Sequence, residues 1–418
     1  MPEVKKVSRR IFLAATGASA GLAALLPSSL AAAPQQAPAS PDASAAPLPA
    51  PLGASFYEKR IARLREMMKT IGAAALVEMP GAGLRSLTGL SLERREHLVC
   101  LVLPLEEPPS IYCADTQREP AAGSPLASMS VVAWNESDDP VSLVGRHLRK
   151  LDADDKKVVL SGGARYDEFL HLHGELPKAT FVSGTALVGF LREHKELEEI
   201  GILRAAATRC QLATEASLKE AAEGISAAEL AAHVERRLQQ SGVGGWARAR
   251  FGKQTAIPQA WTPERRLARG EVIVLEAISE LHGYKARVAR TAILGQATGR
   301  MKLIHSTLRK VQTSMMERMK PGQPWSYVDR IGRSIMGGGG FSKMLRGLLG
   351  LGIGLEAIEP PWSSPGYHEP AAQGHVMSLE PAVYTPDDHG VVLGDMVEVT
   401  AAGGRLVTQP PEAIFELG

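Results

Sequence analysis

The chain has 418 residues, 44% hydrophobic and 22% charged, enough for a targeting segment and two domains with cores of their own. A formal charge of +2 and only 5% aromatic residues argue against nucleic acid and against an anionic membrane surface as partners. Three cysteines, Cys100, Cys113 and Cys210, with no CxxC or Cys/His cluster, exclude a disulfide framework and a thiolate metal site; a single Cys100–Cys113 bridge stays open.

The N-terminus reads as an export signal. Ser8-Arg9-Arg10-Ile11-Phe12-Leu13 opens a small-residue apolar run that ends in Ala31-Ala32-Ala33. The paired arginines followed by Phe-Leu resemble a twin-arginine signal, which implies a periplasmic or secreted protein delivered already folded. The run is too short and too rich in Ala and Gly for a stable membrane anchor, so no membrane insertion of the mature chain is expected. Residues 1–33 carry four Lys/Arg and one Glu, leaving 43 basic against 44 acidic residues, close to neutral. Residues 34–53 are Pro/Ala-rich and nearly uncharged, the composition of an extended tether.

From residue 54 the pattern becomes that of a folded domain. Tyr57–Met68 places apolar residues at helical spacing, and Ala73–Val77 is a short apolar strand. Strands are expected at 97–104, 110–113, 131–134 and 157–160, giving an α/β domain over 54–190. Helices are expected near 195–222 and 226–241, with a turn at Gly224 and Ser226 as N-cap, and again over 301–320 and 324–336. Arg248, Arg250, Arg265 and Arg266 read as solvated loop charges, and Gly337–Gly340 as a flexible run. Residues 350–400 combine a Gly-x-Gly-x-Gly hinge, Glu359-Pro360-Pro361, Leu379-Glu380-Pro381 and Gly394-Asp395, with short strands at 376–379 and 391–393.

Helix, strand and Leu84-Arg85-Ser86-Leu87-Thr88-Gly89-Leu90 resemble the opening of the creatinase-type N-terminal domain. Residues 350–400 resemble the second half of the catalytic domain of the pita-bread peptidases: creatinase, prolidase, aminopeptidase P and methionine aminopeptidase. The resemblance covers 56–418 and implies a creatinase-like α/β domain over 54–190, followed by a pita-bread α+β domain over 191–418. In the metal-dependent members it implies two cations held by two aspartates, one histidine and two glutamates.

Mapped onto this chain, those five ligand positions are Glu276, Arg287, Leu351, Glu380 and Gly394. Only two carboxylates remain, too few for a dinuclear site, and arginine can neither ligate a cation nor lose its charge readily. The substrate-side histidine before Glu359 is Ile358, and the histidine that serves metal-free creatinase is Gln259, which cannot exchange a proton near neutral pH. The expected pocket is therefore lined by Gln259, Glu276, Arg287, Leu351, Glu359, Glu380 and Gly394, with no metal and no other cofactor.

Arg287 is expected to stand between Glu276 and Glu380 as an internal counter-ion. The favoured reading is a pseudo-peptidase that binds a peptide, a small molecule or a protein without hydrolysing it. The alternatives are a metal-independent C–N hydrolase using Glu276, Glu380 and Arg287, and a residual Xaa-Pro aminopeptidase with a rearranged metal site. A homodimer, or pairing with an active paralogue, fits the same resemblance. His368 and His375 are the candidates for a relocated site; His282 and His389 read as solvated turn residues, and Asp395 as a strand or turn cap.

Overall fold

The structure, a computed structural model, describes residues 46–418; the expected export signal and most of the expected tether lie outside the described residues. Two compact units emerge, one over 52–192 and one over 193–418 joined by residues 46–51.

The first unit is an open α/β sheet. Strands β1 (Ala73–Glu78), β2 (Cys100–Pro104), β3 (Ser110–Ala114), β4 (Ser130–Trp134), β5 (Lys157–Leu160) and β6 (Thr180–Ser183) lie in the order β4-β3-β2-β1-β5-β6. Only β2 runs against its neighbours. Helices α1 (Ala54–Thr70), α2 (Ala82–Thr88), α3 (Arg118–Ala122), α4 (Pro140–Lys150), α5 (Tyr166–Glu175) and α6 (Thr185–Glu193) complete it. Alternation along β1 explains the double cover: Leu76 enters one apolar cluster with Leu64 and Met68 of α1, whereas Val77 enters another with Val144 and Leu148 of α4. The strand expected from residue 97 begins at Cys100, and all three cysteines are buried free thiols.

The second unit opens with α7 (Leu197–Lys219) and α8 (Ala227–Gln240), the latter capped by Ser226, whose hydroxyl accepts the Glu229 N–H at 3.1 Å. Strands β7 (Gly244–Phe251), β8 (Val272–Leu281) and β9 (Tyr284–Leu294) form an antiparallel meander, with β17 (Phe415–Leu417) parallel to β9. Helices α9 (Gly299–Arg318) and α10 (Trp325–Gly338) lead to a second sheet. Its strands are β10 (Gly350–Gly352), β11 (Glu359–Ser363), β12 (Val376–Leu379), β15 (Asp395–Thr400) and β16 (Gly403–Leu406), in the order β11-β10-β12-β15-β16. A small hairpin, β13 (Ala382–Tyr384) with β14 (Gly390–Val392), sits between β12 and β15 in the chain.

Four expectations change. Residues 46–51 are not a bare tether, because the Ala46 carbonyl accepts from Arg209 and the Pro49 carbonyl lies 2.9 Å from His282 Nε2. The Gly350–Gly354 stretch is no hinge: Gly350–Gly352 is a paired strand, and a Cβ on Gly352 would stand 2.4 Å from the Pro360 carbonyl oxygen. Gly337 and Gly338 finish α10 instead of forming a flexible run. The segment holding Arg248 and Arg250 is strand β7, whose alternation puts Ala247, Ala249 and Phe251 on a buried face. No described helix is long and apolar enough to cross a membrane.

Candidate functional site

The β8–β9 hairpin sets the site. Its register pairs Glu276 with Ala289 and Ile278 with Arg287, so Glu276 and Arg287 are diagonal neighbours on one face. On the other side of β8, Arg248 stands opposite Glu276, which makes Arg250 a diagonal neighbour too. Glu380 follows β12, directly after Leu379.

Strands β7, β8 and β9 and the residue after β12 thus deliver their charges to one place. Arg287 Nε lies 2.9 Å from Glu380 Oε1 and its Nη2 lies 3.3 Å from Glu276 Oε1. Arg250 Nη2 meets the other Glu276 oxygen at 2.8 Å, while its Nη1 donates to the Ile257 carbonyl at 2.9 Å. The Ser378 hydroxyl donates to Glu380 at 2.6 Å. Arg287, Glu276 and Glu380 keep 18%, 14% and 12% of their side-chain surface, so solvent or a small group can reach them, whereas Arg250 keeps 1%.

The electrostatics follow from this geometry. The Glu380 carboxylate, ahead of the opposing effect of burial, holds the Arg287 guanidinium even more firmly protonated than usual, and Glu276 adds to it. Burial, the largest influence, pushes the Glu380 carboxyl above the usual range, and Arg287 opposes that rise. Tyr384 on β13 is pushed up to about 12 by burial and then by Glu276, so it is a hydroxyl donor at any ordinary pH.

A second buried network supports the first. Arg290, fully buried on β9, reaches Glu215 of α7 at 2.9 Å and Asp395 of β15 at 2.8 Å, and donates to the Gly394 carbonyl at 2.8 Å. Asp395 also accepts from Thr408 at 2.7 Å and Gln312 at 3.3 Å. Asp395 opens β15, as a strand cap would, and its buried partners also anchor that strand in the interior.

The other expected pocket residues divide. Leu351 lies opposite Ser378 across β10–β12, next to the Glu380 hydrogen bond. Gly394 bridges Ala289 through two backbone hydrogen bonds of 3.0 and 3.1 Å, and a Cβ there would stand 2.8 Å from the Ala289 Cβ. Glu359 is not part of the group; it is buried in an ion pair with Lys195 at 2.8 Å. Gln259 is exposed on a loop and Ile358 is 55% exposed, so Ile358 adds nothing to an apolar pocket wall.

The histidines stand apart. His368 pairs with the Ser326 hydroxyl at 2.9 Å, and His375 is buried with its ring stacked on Trp325 and edge-on to His194. His389 is buried, not solvated, with Nδ1 2.7 Å from Asp388. Among the described residues no group of three or more His, Cys, Asp or Glu is disposed to hold a metal ion.

Comparison with known proteins agrees with this architecture. Residues 60–194 match the creatinase/prolidase N-terminal domain and residues 201–401 match metallopeptidase family M24. The chain belongs to metallopeptidase family M24. Within M24, it is similar to YkvY of Bacillus subtilis, at 26% identity over 368 residues that cover 86% of this chain and 99% of that one. It shares its fold with the dipeptidase PepE of Mycobacterium ulcerans (TM-score 0.82, 24% identity, 88% of this chain and 100% of that one). The prolidase of Thermococcus sibiricus has the same fold (TM-score 0.80, 22% identity, 86% and 99%). This chain is thus a two-unit M24 protein with a creatinase-type first unit and a pita-bread second unit.

Proposed function

We propose that this M24 protein is an exported pseudo-peptidase, which uses the peptidase scaffold to bind a peptide, a small molecule or a protein partner without hydrolysing it. One observation carries the reading: the Arg287 guanidinium stands between Glu276 and Glu380. Of the five ligand positions that the resemblance implies, Leu351 and Gly394 offer no donor and Arg287 offers a cation. The two remaining carboxylates already share guanidinium partners. Those residues do not fit a pair of divalent cations, which need oxygen and imidazole donors around a space that holds no competing cation. Arg287 also cannot act as general acid or base, because it does not release its proton.

Elemental mass spectrometry of the mature protein, purified without chelator, tests this directly. Less than about a tenth of an equivalent of transition metal is expected; one equivalent or more overturns the reading. Added Mn²⁺, Co²⁺ or Zn²⁺ is expected to leave Xaa-Pro cleavage at background, and metal-dependent turnover would instead support an active aminopeptidase with a rearranged site.

A second reading rests on Glu380, a carboxylate within reach of a small group whose burial raises its proton affinity above the usual carboxylate range, against the opposing effect of Arg287. It makes the protein a metal-independent C–N hydrolase in which Arg287 binds a substrate carboxylate. Turnover on an amide panel that Glu276→Gln or Glu380→Gln abolishes would establish it. Binding without turnover across that panel returns the protein to the first reading.

A further inference from the structure

The first unit carries a separate cationic cleft. Strands β1, β3, β4 and β5 run in one direction, so Glu78, Ala114, Trp134 and Leu160 mark one edge of the sheet. In open α/β sheets, ligands settle in the crevice outside the carboxyl ends of the strands. A cavity of about 550 Å³ lies at that edge, and its lining includes Arg94, Arg95, Arg165, His97 and Thr116, with Glu96 as the one carboxylate.

The arginines are held in place by the loops that carry them. Arg94 donates to the Gly163 carbonyl, and its Nη1 lies 3.7 Å from Glu168. Arg165 Nη1 reaches the Arg95 carbonyl at 3.4 Å, tying the two loops together. Arg95 has an exposed partner, Glu93, at 3.4 Å, the kind of surface pair that contributes little and exchanges readily. At one side the His97 ring stands edge-on to Trp134 at 5.7 Å, and Trp134 is fixed by donating Nε1–H to the Leu98 carbonyl at 3.1 Å.

We propose that this cleft is a binding site for a small phosphate-type oxyanion, either free phosphate or a phosphomonoester. A guanidinium presents a planar fork that matches two oxygens, so the forks of Arg95 and Arg165 around one cavity, with the charge of Arg94 beside them, suit an ion with several anionic oxygens. A monocarboxylate would satisfy one fork and leave the other competing for it. The site needs neither the Glu276 group nor any metal, and it lies entirely within the first unit.

The test is calorimetric titration of the full mature chain with inorganic phosphate and with phenyl phosphate, at ionic strength matched with chloride. The His97 ring signals are followed by NMR in the same titrations. Saturable binding with movement of the His97 signals is expected, weakened about tenfold in Arg95→Gln and in Arg165→Gln. Both positions are exposed, so these variants keep the fold, and unchanged circular dichroism verifies it. Tighter binding of phenyl phosphate would identify a phosphomonoester as the ligand; equal binding would identify free phosphate. Absence of saturable binding up to ~10 mM, or affinity unchanged in both variants, overturns the proposal.

Discussion

Arg287 is the residue on which the second unit's charge balance turns. Replacing it by Met keeps much of the volume but leaves Glu276 with Arg250 alone and Glu380 with only a serine hydroxyl. Breaking a largely buried pair by deleting one partner costs about 3–5 kcal/mol. Urea denaturation of Arg287→Met should show a loss of that order, and the double variant with Glu380→Gln should recover most of it, because Glu276 keeps its pair with Arg250. A double variant as unstable as the single one would mean that Arg287 acts by packing. Glu78 offers a contrasting residue. Burial raises its carboxyl to about 7, against the opposing effects of the Ser161 hydroxyl, Arg192 and Arg94. The folded state thus keeps a proton that the unfolded chain releases above 4.5, so stability falls between pH 4.5 and about 7 and stays lower above that. Glu78→Gln should remove this slope and stabilise the protein at pH 8 by up to ~3 kcal/mol, measured by urea melts across that range.

At the scale of elements, the hairpin β8–β9 was legible and strand β7 was not. Glu276 and Arg287 flank a Gly283 turn at a spacing that the apolar run 272–275 makes a strand, so their meeting follows from period-two geometry. Gly244-Gly245-Trp246-Ala247-Arg248-Ala249-Arg250-Phe251 hides its strand behind two glycines and two arginines; the alternating Ala247, Ala249 and Phe251 were the available signal. Asp395 opens β15 as a strand cap would, while His389 departs from its expected solvated turn for a different reason. Short polar stretches rich in Gly, Pro and Asp look like exposed turns, whereas here the His389 side chain is buried beside exposed Pro386, Asp387 and Asp388, and β15 runs through the interior. Glu359 belonged to a motif, yet its partner Lys195 comes from 164 positions earlier, a pairing no local pattern announces. The backbone bridge between Ala289 of β9 and Gly394, just before β15, leaves no room for a side chain. Gly394→Ala forces a methyl to within 2.8 Å of the Ala289 Cβ and 2.9 Å of its backbone nitrogen. A cost of about 1–3 kcal/mol is expected, read as a lowered urea midpoint with unchanged m-value.

Over the whole molecule, the family and two-unit plan were readable because each unit carries its own strong periodicities and motifs. The binding partner was not, since a scaffold does not fix what occupies it. The internal cations make a global property measurable. A protein that binds metal only when folded gains RT ln(1 + [L]/Kd) of stability from it, so chelation lowers its melting temperature. Here the melting temperature should stay within about 1 °C when the protein is treated with EDTA or supplied with Mn²⁺. A shift of several degrees in either direction would place a cation in the native state.

The close approach of Gly394 and Ala289 also orders the routes by which this site can change. A glutamate at 394 needs room that only a displaced β9 provides, and displacing β9 moves Arg287 and Arg290 together with it. A histidine at 351 or an aspartate at 287 supplies one donor while removing or crowding a charge that the present arrangement relies on. Each substitution that adds a metal donor here therefore passes through a less stable protein before any catalytic benefit is reached. The arrangement acts as a ratchet: with the arginine and glycine both in place, single substitutions refine what the cleft binds far more readily than they install a metal site.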